Sequence, residues 1–281
     1  MPASTGTGVI SNYFSQLFAL ALTSVRQLVR PPSHSRRAEA ARRLARHSLL
    51  ITAIIGALIM TLMYVLDAQE IGLMPPRGTA ALWPVRILTD FGKDAYVLAV
   101  LAAAVLLMAV IAARFRGISR SLWLGLATRA QFLFFAVLVP VLAGEAIKWA
   151  VGRGRPFVGG KANAFNFTPF AGGEAYASFP SGHAVTGFAL AFAVTAVWPR
   201  ARIPMIVYAL LIAGSRLLLL AHHPSDVVAG ALIGVVGAMS VRYWFAARHL
   251  AFTIRRDGAI LPLAGPSLGH LKRVARAASA P

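Results

Sequence analysis

The sequence has no cysteine and little negative charge: nine acidic residues stand against 28 Lys and Arg in a chain of 281 residues. Without cysteine the protein can form neither a disulfide bond nor a thiolate metal site, and the redox compartment stays undetermined. Charge of either sign is scarce, at 13% of the residues, whereas 58% are hydrophobic and the mean hydropathy is +0.68. A soluble domain of this length is normally far more polar, so the composition indicates a protein embedded in a bilayer.

The net charge of +19 is spread through the chain rather than gathered in one segment. The sequence shows no basic stripe with interleaved aromatic side chains, so we do not expect nucleic-acid binding. Scattered basic residues in an apolar chain are typical of cytoplasmic loops that follow the positive-inside rule.

Six apolar runs predict the fold class. A helix needs about 20 residues to cross about 30 Å of hydrocarbon. We therefore predict an all-α protein, a polytopic bundle of six transmembrane helices, at about residues 48–66, 94–113, 127–148, 181–198, 203–221 and 226–247.

The segments outside these runs divide the chain into three parts. Apolar side chains follow one face of residues 9–25, which predicts an amphipathic helix along the membrane surface, and this segment lacks the basic start and apolar core of a signal peptide. Residues 1–47 are then an amphipathic and basic cytoplasmic segment, and residues 48–247 a six-helix membrane domain. Residues 248–281 form a basic tail that we expect to be a loose cytoplasmic extension.

Arginine placement predicts the orientation of the bundle. One set of segments outside the runs is basic and holds Arg26, Arg30, Arg36, Arg37, Arg42, Arg43, Arg46, Arg114, Arg116, Arg120, Arg200, Arg202 and Arg242. The opposite set is nearly neutral, so both termini are predicted to be cytoplasmic, in the cell (inner) membrane. Residues 148–161 break the rule because they are basic on the outer side, and an anionic ligand there would explain them.

The first polar cluster follows the third apolar run. Gly152 and Gly154 predict that the helix ends between Lys148 and Arg155, which lets Arg155 fold back. An ammonium and a guanidinium at one place suit a phosphate. The alternative is that both side chains simply reach toward lipid headgroups. Glu145 is expected to be the ion-pair partner of Lys148 rather than a catalyst.

The second cluster, Pro180-Ser181-Gly182-His183, begins the fourth run. Ser181 can cap the helix, Gly182 allows close backbone approach, and the free N–H groups of a helix start bind phosphate. His183, in the first turn, is placed to protonate a leaving alcohol. The alternative is an ordinary capped helix with an interfacial histidine.

The third cluster joins the fifth and sixth runs. Arg216 lies inside an apolar run, where an arginine marks a functional site by default. Asp226, four residues after His222, can accept the Nδ1 proton of His222 and leave Nε2 as a nucleophile. His223 competes for this role, and the two histidines could also be an interfacial pair or a metal site. A single nearby carboxylate and the lack of a His-x-x-x-His pattern argue against a metal, and we expect no cofactor.

Together the clusters bring two histidines and three cations to one membrane face, an assembly suited to phosphoryl transfer without a metal. They resemble the three-part signature of the type 2 phosphatidic-acid phosphatase superfamily, which includes lipid phosphate phosphatases, bacterial undecaprenyl-diphosphatases and vanadium haloperoxidases. The matching elements are Lys148 with Arg155-Pro156, then Pro180-Ser181-Gly182-His183, then Ser215-Arg216 with His222 and Asp226.

The resemblance, which covers roughly residues 48–247, implies a role for each of these residues. His222 would be the nucleophile that forms a phosphohistidine, Asp226 would orient it, and His183 would protonate the leaving group. The phosphoryl oxygens would be held by Lys148, Arg155, Arg216, Ser181 and Gly182. The position after the nucleophile is often aromatic or otherwise bulky in the family; here it is His223, which could carry a second proton.

We therefore expect a metal-independent integral-membrane phosphatase with its site on the periplasmic face. Its partners would be the bilayer and a lipid phosphate or diphosphate substrate. Chain size favours undecaprenyl diphosphate, with phosphatidate, phosphatidylglycerol phosphate and lipid A phosphates as other candidates. The alternatives are a lipid phosphotransferase that uses the same phosphohistidine and a non-catalytic lipid-binding or transport protein.

Overall fold

A computed structural model of the chain describes residues 5–156, 158–159, 162–255 and 257–263. Within these residues, nine α-helices and one two-stranded hairpin follow one another. The helices are α1 Thr5–Val29, α2 His34–Val65, α3 Asp67–Leu73, α4 Trp83–Asp90, α5 Asp94–Arg114, α6 Gly117–Val151, α7 Gly182–Val197, α8 Arg202–Leu218 and α9 Pro224–Ala247. Strands β1 (Phe252–Ile254) and β2 (Ile260–Pro262) pair antiparallel, with Thr253 opposite Leu261.

The helical, membrane-embedded character predicted from the sequence is confirmed. Five segments are long and apolar enough to cross a bilayer: His34–Val65, Ala80–Arg114, Ser119–Val151, Pro199–Leu218 and Pro224–Ala247. The remaining apolar run forms α7, which has 16 residues and is about 24 Å long at 1.5 Å per residue. A sixth crossing by α7 stays a prediction.

Helix α9 is the centre of the bundle because its glycines let it approach its neighbours closely. A Cβ at Gly230 would lie 2.5 Å from the Ser181 carbonyl oxygen, and one at Gly234 would lie 2.5 Å from that of Val185. A Cβ at Gly237 would come within 2.5 Å of Pro140 in α6. These approaches leave no room for larger side chains, and they fix the start of α7 beside the start of α9.

Helix α1 is hydrogen-bonded to the ends of two other helices, α5 and α9. The Tyr13 hydroxyl donates to the Val110 carbonyl near the end of α5, and the Trp244 indole donates to the Leu28 carbonyl near the end of α9, at 3.0 and 3.2 Å. The predicted helix in residues 9–25 is therefore present and longer than expected. Its position in the membrane interface stays a prediction.

The structure alters two of the predicted boundaries. Helix α2 begins at His34, so the basic residues before residue 48 continue into the first apolar run as one helix. The prediction of a loose tail is wrong for residues 252–262, because Phe252 is fully buried and its ring meets that of Phe132 edge-on at 4.7 Å. Aromatic burial of this kind anchors the hairpin to the bundle. Residues 264–281 lie outside the described part of the chain.

Candidate active site

The first cluster forms where α6 ends. Gly152 adopts φ 57°, a left-handed conformation that favours glycine, and it closes the helix one residue after Val151. The predicted helix end between Lys148 and Arg155 is thus confirmed. Lys148 forms an ion pair with Glu145, as expected. Arg155 bonds to Glu174 at 2.8 Å, and Glu174 itself is 92% exposed.

Ser178 joins the three clusters through its three polar groups. Its N–H donates to the Arg153 carbonyl at 3.0 Å, in the loop of the first cluster. Its carbonyl accepts a bond from His222 Nδ1 at 2.7 Å, and its hydroxyl donates to Asp226 at 2.6 Å. The Ser181 N–H also donates to the Asp226 carbonyl at 3.0 Å, which ties the second cluster directly to the third.

The predicted hydrogen bond between Asp226 and His222 is wrong. The carboxylate of Asp226 accepts from the Arg153 guanidinium, the Ser178 hydroxyl and the His223 N–H, and the ring of His222 turns to the Ser178 carbonyl instead. Asp226 therefore acts on His222 only through Ser178. The four-residue spacing placed Asp226 in the first turn of α9 correctly, but its oxygens point to other donors.

The tautomer of His222 follows from this geometry. A carbonyl oxygen only accepts, so Nδ1 carries the proton and Nε2 keeps its lone pair. Burial, and then the positive charges of Arg216 and Arg155, lower the pKa of His222 well below its ordinary value. The ring is thus held neutral with a free lone pair on Nε2, the tautomer expected from the sequence but produced by a different acceptor.

His223, the competing histidine, is fully buried beside α3. Its Nδ1 lies 3.3 Å from the Asp67 carbonyl, and its N–H donates to Asp226 at 2.9 Å. Burial lowers the pKa of His223, with Asp226 opposing that shift. The bonds of His223 connect the start of α9 to α3, whereas those of His222 connect to the loop of the second cluster.

Arg153 is the functional-site residue that sequence reasoning missed. It is 0% exposed, as are the two carboxylates it binds, Asp67 on α3 and Asp226 on α9. All five of its N–H donors are used, by Asp67, Asp226, the Ser225 hydroxyl and, twice, the Ala164 carbonyl. One feature of the sequence could have indicated its role. Arg153 follows an apolar run directly, in Gly-Arg-Gly-Arg, and an arginine that is buried at such a place needs a counterion.

Several buried polar groups of the predicted site have no hydrogen-bond partner within the described residues. They are Arg155 Nε, Ser181 Oγ, His183 Nε2 and Arg216 Nε. Ser181 occupies the position before α7 as predicted, but its hydroxyl makes no capping bond there. Buried polar groups are normally satisfied, so a concentration of unpaired donors at one place fits an oxyanion ligand.

Contacts of glycines place the remaining site residues. A Cβ at Gly182 would lie 3.5 Å from Lys148 Nζ, so the ammonium sits against the start of α7. A Cβ at Gly92 would lie 3.3 Å from the His183 ring. Arg216 donates to the Thr89 hydroxyl at 2.9 Å. The structure thus brings all the predicted site residues to one end of the bundle, where a cleft of about 270 Å³ is lined by Lys148 and Arg155.

Comparisons with known proteins agree with this geometry. Residues 129–250 match the family model described as the PAP2 superfamily. This segment, which is fewer than half of the chain's residues, is similar to that superfamily. The resemblance seen in the three motifs is therefore confirmed for the segment that carries them.

The chain is also similar to named proteins. The lipid A 1-phosphatase of Rhizobium johnstonii (strain DSM 114642 / LMG 32736 / 3841) is 36% identical over 136 residues, 48% of this chain and 54% of that protein. The lipid A 1-phosphatase of Rhizobium etli is 35% identical over 136 residues, 48% of this chain and 56% of that protein. An Escherichia coli (strain K12) protein with the provisional name undecaprenyl-diphosphatase YbjG is 31% identical over 135 residues, 46% and 65% of the two chains.

These matches cover only part of each protein. The chain spans little more than half the length of the two Rhizobium relatives. No solved structure matches it.

Replacing Arg153 tests the buried charge network. Arg153→Gln would leave Asp67 and Asp226 buried without their counterion, and breaking such a pair costs about 3–5 kcal/mol of unfolding free energy. Arg155→Gln is the matched control, because its partner Glu174 is exposed and such pairs contribute about 0–1 kcal/mol. Unfolding by denaturant in mild detergent measures both. Equal stability of the two variants would contradict the network.

Glu70 lies one turn after Asp67 on α3 and is 3% exposed. Its two carboxyl oxygens have no hydrogen-bond partner among the described residues. Burial, followed by the charges of Asp67 and Asp226, raises the pKa of Glu70 from 4.5 to about 7. The folded protein therefore holds a proton on Glu70 at pH values where the unfolded chain has released it.

Glu70 makes stability depend on pH in a defined direction. Because its folded pKa is the higher one, its contribution is complete below about pH 4.5 and is lost as pH rises through about 7. The melting temperature of the wild-type protein is expected to decrease between about pH 5 and pH 8. The melting temperature of Glu70→Gln should decrease clearly less over the same range. Glu174→Gln is the control at an exposed position and should keep the wild-type slope. An unchanged slope in Glu70→Gln would refute the assignment.

Proposed function

We propose that the protein is a lipid phosphatase that transfers a phosphoryl group from a membrane lipid to His222 and then to water. The observation that carries this proposal is the set of unpaired buried donors beside a neutral histidine with a defined nucleophilic nitrogen. The match to the PAP2 superfamily and the relatives named as lipid phosphatases support it.

The first step forms a covalent intermediate. His222 Nε2 attacks phosphorus, the bond from phosphorus to the departing oxygen breaks, and His183 gives that oxygen a proton. Lys148, Arg155 and Arg216 neutralise the charge on the three other oxygens, aided by the Ser181 hydroxyl and the Gly182 N–H.

The second step restores the enzyme. A water molecule attacks phosphorus, His183 takes its proton, and the bond between phosphorus and Nε2 breaks to release inorganic phosphate. No metal is needed, since arginine and lysine perform the charge neutralisation. Ser178 keeps Nδ1 protonated throughout, so that the intermediate forms and breaks on Nε2 alone.

Asp226 acts indirectly in this mechanism, through Ser178. Its carboxylate holds the Ser178 hydroxyl and the Arg153 guanidinium, and Ser178 holds His222. The carboxylate thus fixes the carbonyl that orients the nucleophile, rather than the nucleophile itself.

The substrate is a lipid phosphate or diphosphate. Two relatives named lipid A 1-phosphatase favour a phosphate on a lipid A type sugar, and the relative named undecaprenyl-diphosphatase keeps a prenyl diphosphate as the second candidate. Phosphatidate and phosphatidylglycerol phosphate share the same headgroup chemistry. Acyl or prenyl chains would enter from the bilayer while the phosphate meets the end of α6.

The proposed orientation follows the arginine distribution. Both termini are cytoplasmic and the site opens on the periplasmic side of the inner membrane, in a membrane domain of residues 48–247. The described ends of α2, α6 and α9 away from the site carry the basic loops, which supports this orientation.

The function is tested by phosphate release from lipid A, undecaprenyl diphosphate, phosphatidate and phosphatidylglycerol phosphate with purified protein. Release should continue in the presence of a metal chelator and stop with vanadate, which imitates pentacoordinate phosphorus at the histidine. Phosphate that appears on a second lipid instead of in solution would make the protein a transferase. An absolute requirement for magnesium would refute the mechanism.

The two adjacent histidines should behave differently on substitution. His222→Ala removes the nucleophile and should reduce kcat by at least about 10⁴-fold, the scale seen when a nucleophile is removed from an enzyme that forms a covalent intermediate. His223→Ala loses only the link to α3 and should keep most of kcat in protein that remains folded, as judged by its melting temperature. Full activity in His222→Ala would assign the nucleophile elsewhere.

A further inference from the structure

A groove lies at the end of the bundle opposite the candidate site, beside the connection between α1 and α2. It consists of two adjoining cavities of about 390 and 510 Å³. They share four lining residues, Val29, Leu44, Ser240 and Trp244. The larger cavity is apolar and extends between α1, α6 and α9, past Phe135 and Val139, whereas the smaller one forms the mouth of the groove.

Two arginines stand at this mouth, Arg37 from α2 and Arg248 just after α9. The guanidinium of Arg248 stacks on the Trp244 ring, with its carbon 3.4 Å from the ring centroid, and donates to the Trp244 carbonyl at 3.3 Å. Both residues line the same cavity, and burial, followed by the charge of Arg37, lowers the pKa of Arg248. Arg248 Nε is buried without a partner in the described part of the chain.

No acidic side chain neutralises this pair. All nine acidic residues of the chain lie within the described ranges, so their ion pairs can be compared directly. Glu39, the nearest in sequence to Arg37, pairs with Arg43, and the other ion pairs of the described residues involve neither Arg37 nor Arg248. Two cations without an acidic partner at the mouth of an apolar groove suit an anion with an apolar tail.

We propose that this groove binds one anionic phospholipid of the membrane leaflet opposite the candidate site. Its phosphate would lie between Arg37 and Arg248, and one acyl chain would follow the apolar cavity past Ser240 toward Phe135 and Val139. The lipid would hold the connection between α1 and α2 to α9, beside the bond between the Trp244 indole and the Leu28 carbonyl. The groove is separate from the candidate site, because Ser240, its first lining residue in α9, lies 17 positions after His223.

A bilayer lipid fits this groove better than a free phosphate ion does. The mouth alone would take a phosphate, but most of the groove volume is apolar and opens beside half-exposed Trp244, a residue type that favours the membrane interface. Phosphatidylglycerol carries one negative charge at the phosphate and needs no further polar partner. Phosphatidylcholine has the same chains, but its own ammonium group compensates the phosphate.

Native mass spectrometry of the detergent-solubilised full chain tests the proposal, with phosphatidylglycerol titrated against phosphatidylcholine of the same chains. Wild-type protein should retain one phosphatidylglycerol selectively. The double variant Arg37→Gln/Arg248→Gln should bind it about thirtyfold more weakly, at the usual contribution of a basic residue near a lipid phosphate. The double variant Arg36→Gln/Arg46→Gln removes the same charge from positions that line neither cavity, and it should stay close to wild type.

A further variant isolates the acyl chain. Ser240 lines both cavities, so Ser240→Phe should fill the groove and reduce lipid retention while both arginines remain. Its melting temperature without lipid shows whether it is folded. Glycerol phosphate, a headgroup without chains, should not displace the bound lipid.

The proposal would be overturned by any of four results. Equal weakening in the two double variants would reduce the effect to general surface charge, and equal retention of phosphatidylcholine would remove the role of the arginines. Displacement of the bound lipid by glycerol phosphate would show that the groove binds the phosphate group and not the acyl chain. A dimer that excludes lipid from the wild-type protein would make a second copy of the chain the occupant.

Discussion

The candidate site depends on the hydrogen bond between His222 Nδ1 and the Ser178 carbonyl. This single bond sets which nitrogen of His222 is free, and the other two polar groups of Ser178 are held as well. Its N–H is held by the Arg153 carbonyl and its hydroxyl by Asp226. Ser178 thereby connects the loop after α6, the approach to α7 and the start of α9. Movement of any one of these elements would change the orientation of the His222 ring.

Beneath that bond lies a buried charge network whose formal charge is negative. Arg153 faces two carboxylates, Asp67 and Asp226, and all three side chains are inaccessible to water. Burying such a group is costly unless every donor and acceptor is satisfied, and Arg153 meets that condition with five bonds. Outside this network, the positive charges of Arg216 and Arg155 act on His222 and, together with burial, lower its pKa. The imidazole is therefore held in its neutral form, close to the cations that would bind a phosphate.

The network also explains how the N-terminal part of the chain takes part in the site. Asp67 lies outside the segment that matches the PAP2 superfamily, residues 129–250, yet its carboxylate completes the coordination of Arg153 and accepts from the Ser225 N–H at 3.0 Å. Helix α3, which begins at Asp67, thus locks the first apolar helix to the start of α9. At the site end Arg153 is paired with two carboxylates, whereas Arg37 and Arg248 at the opposite end form no ion pair among the described residues.

The sequence predicted those features that depend on residue type and spacing. Gly152 ended α6 because a left-handed helix cap favours glycine, and the apolar runs became helices because their length and hydropathy allow little else. Residue type and spacing also identified the predicted site residues, which lie together at one end of the bundle.

Features set by tertiary contacts escaped prediction. The acceptor for His222 is a backbone carbonyl, which every residue has, so no residue type marks it. Arg153 and Asp67 are 86 positions apart, a separation at which no periodic pattern shows that two side chains meet. The burial of Phe252 likewise depends on its packing with Phe132 and Phe245 in one hydrophobic cluster. The polar composition of the tail around Phe252 does not indicate that packing.

The most direct test of the account is an experimental structure of the protein with vanadate. Vanadate is expected to bond to His222 Nε2, with His222 Nδ1 still on the Ser178 carbonyl and the donors of Arg155, Ser181 and Arg216 on the vanadate oxygens. Vanadate bonded to His223, or bound at the cleft with the Nδ1 bond to Ser178 broken, would contradict the central claim.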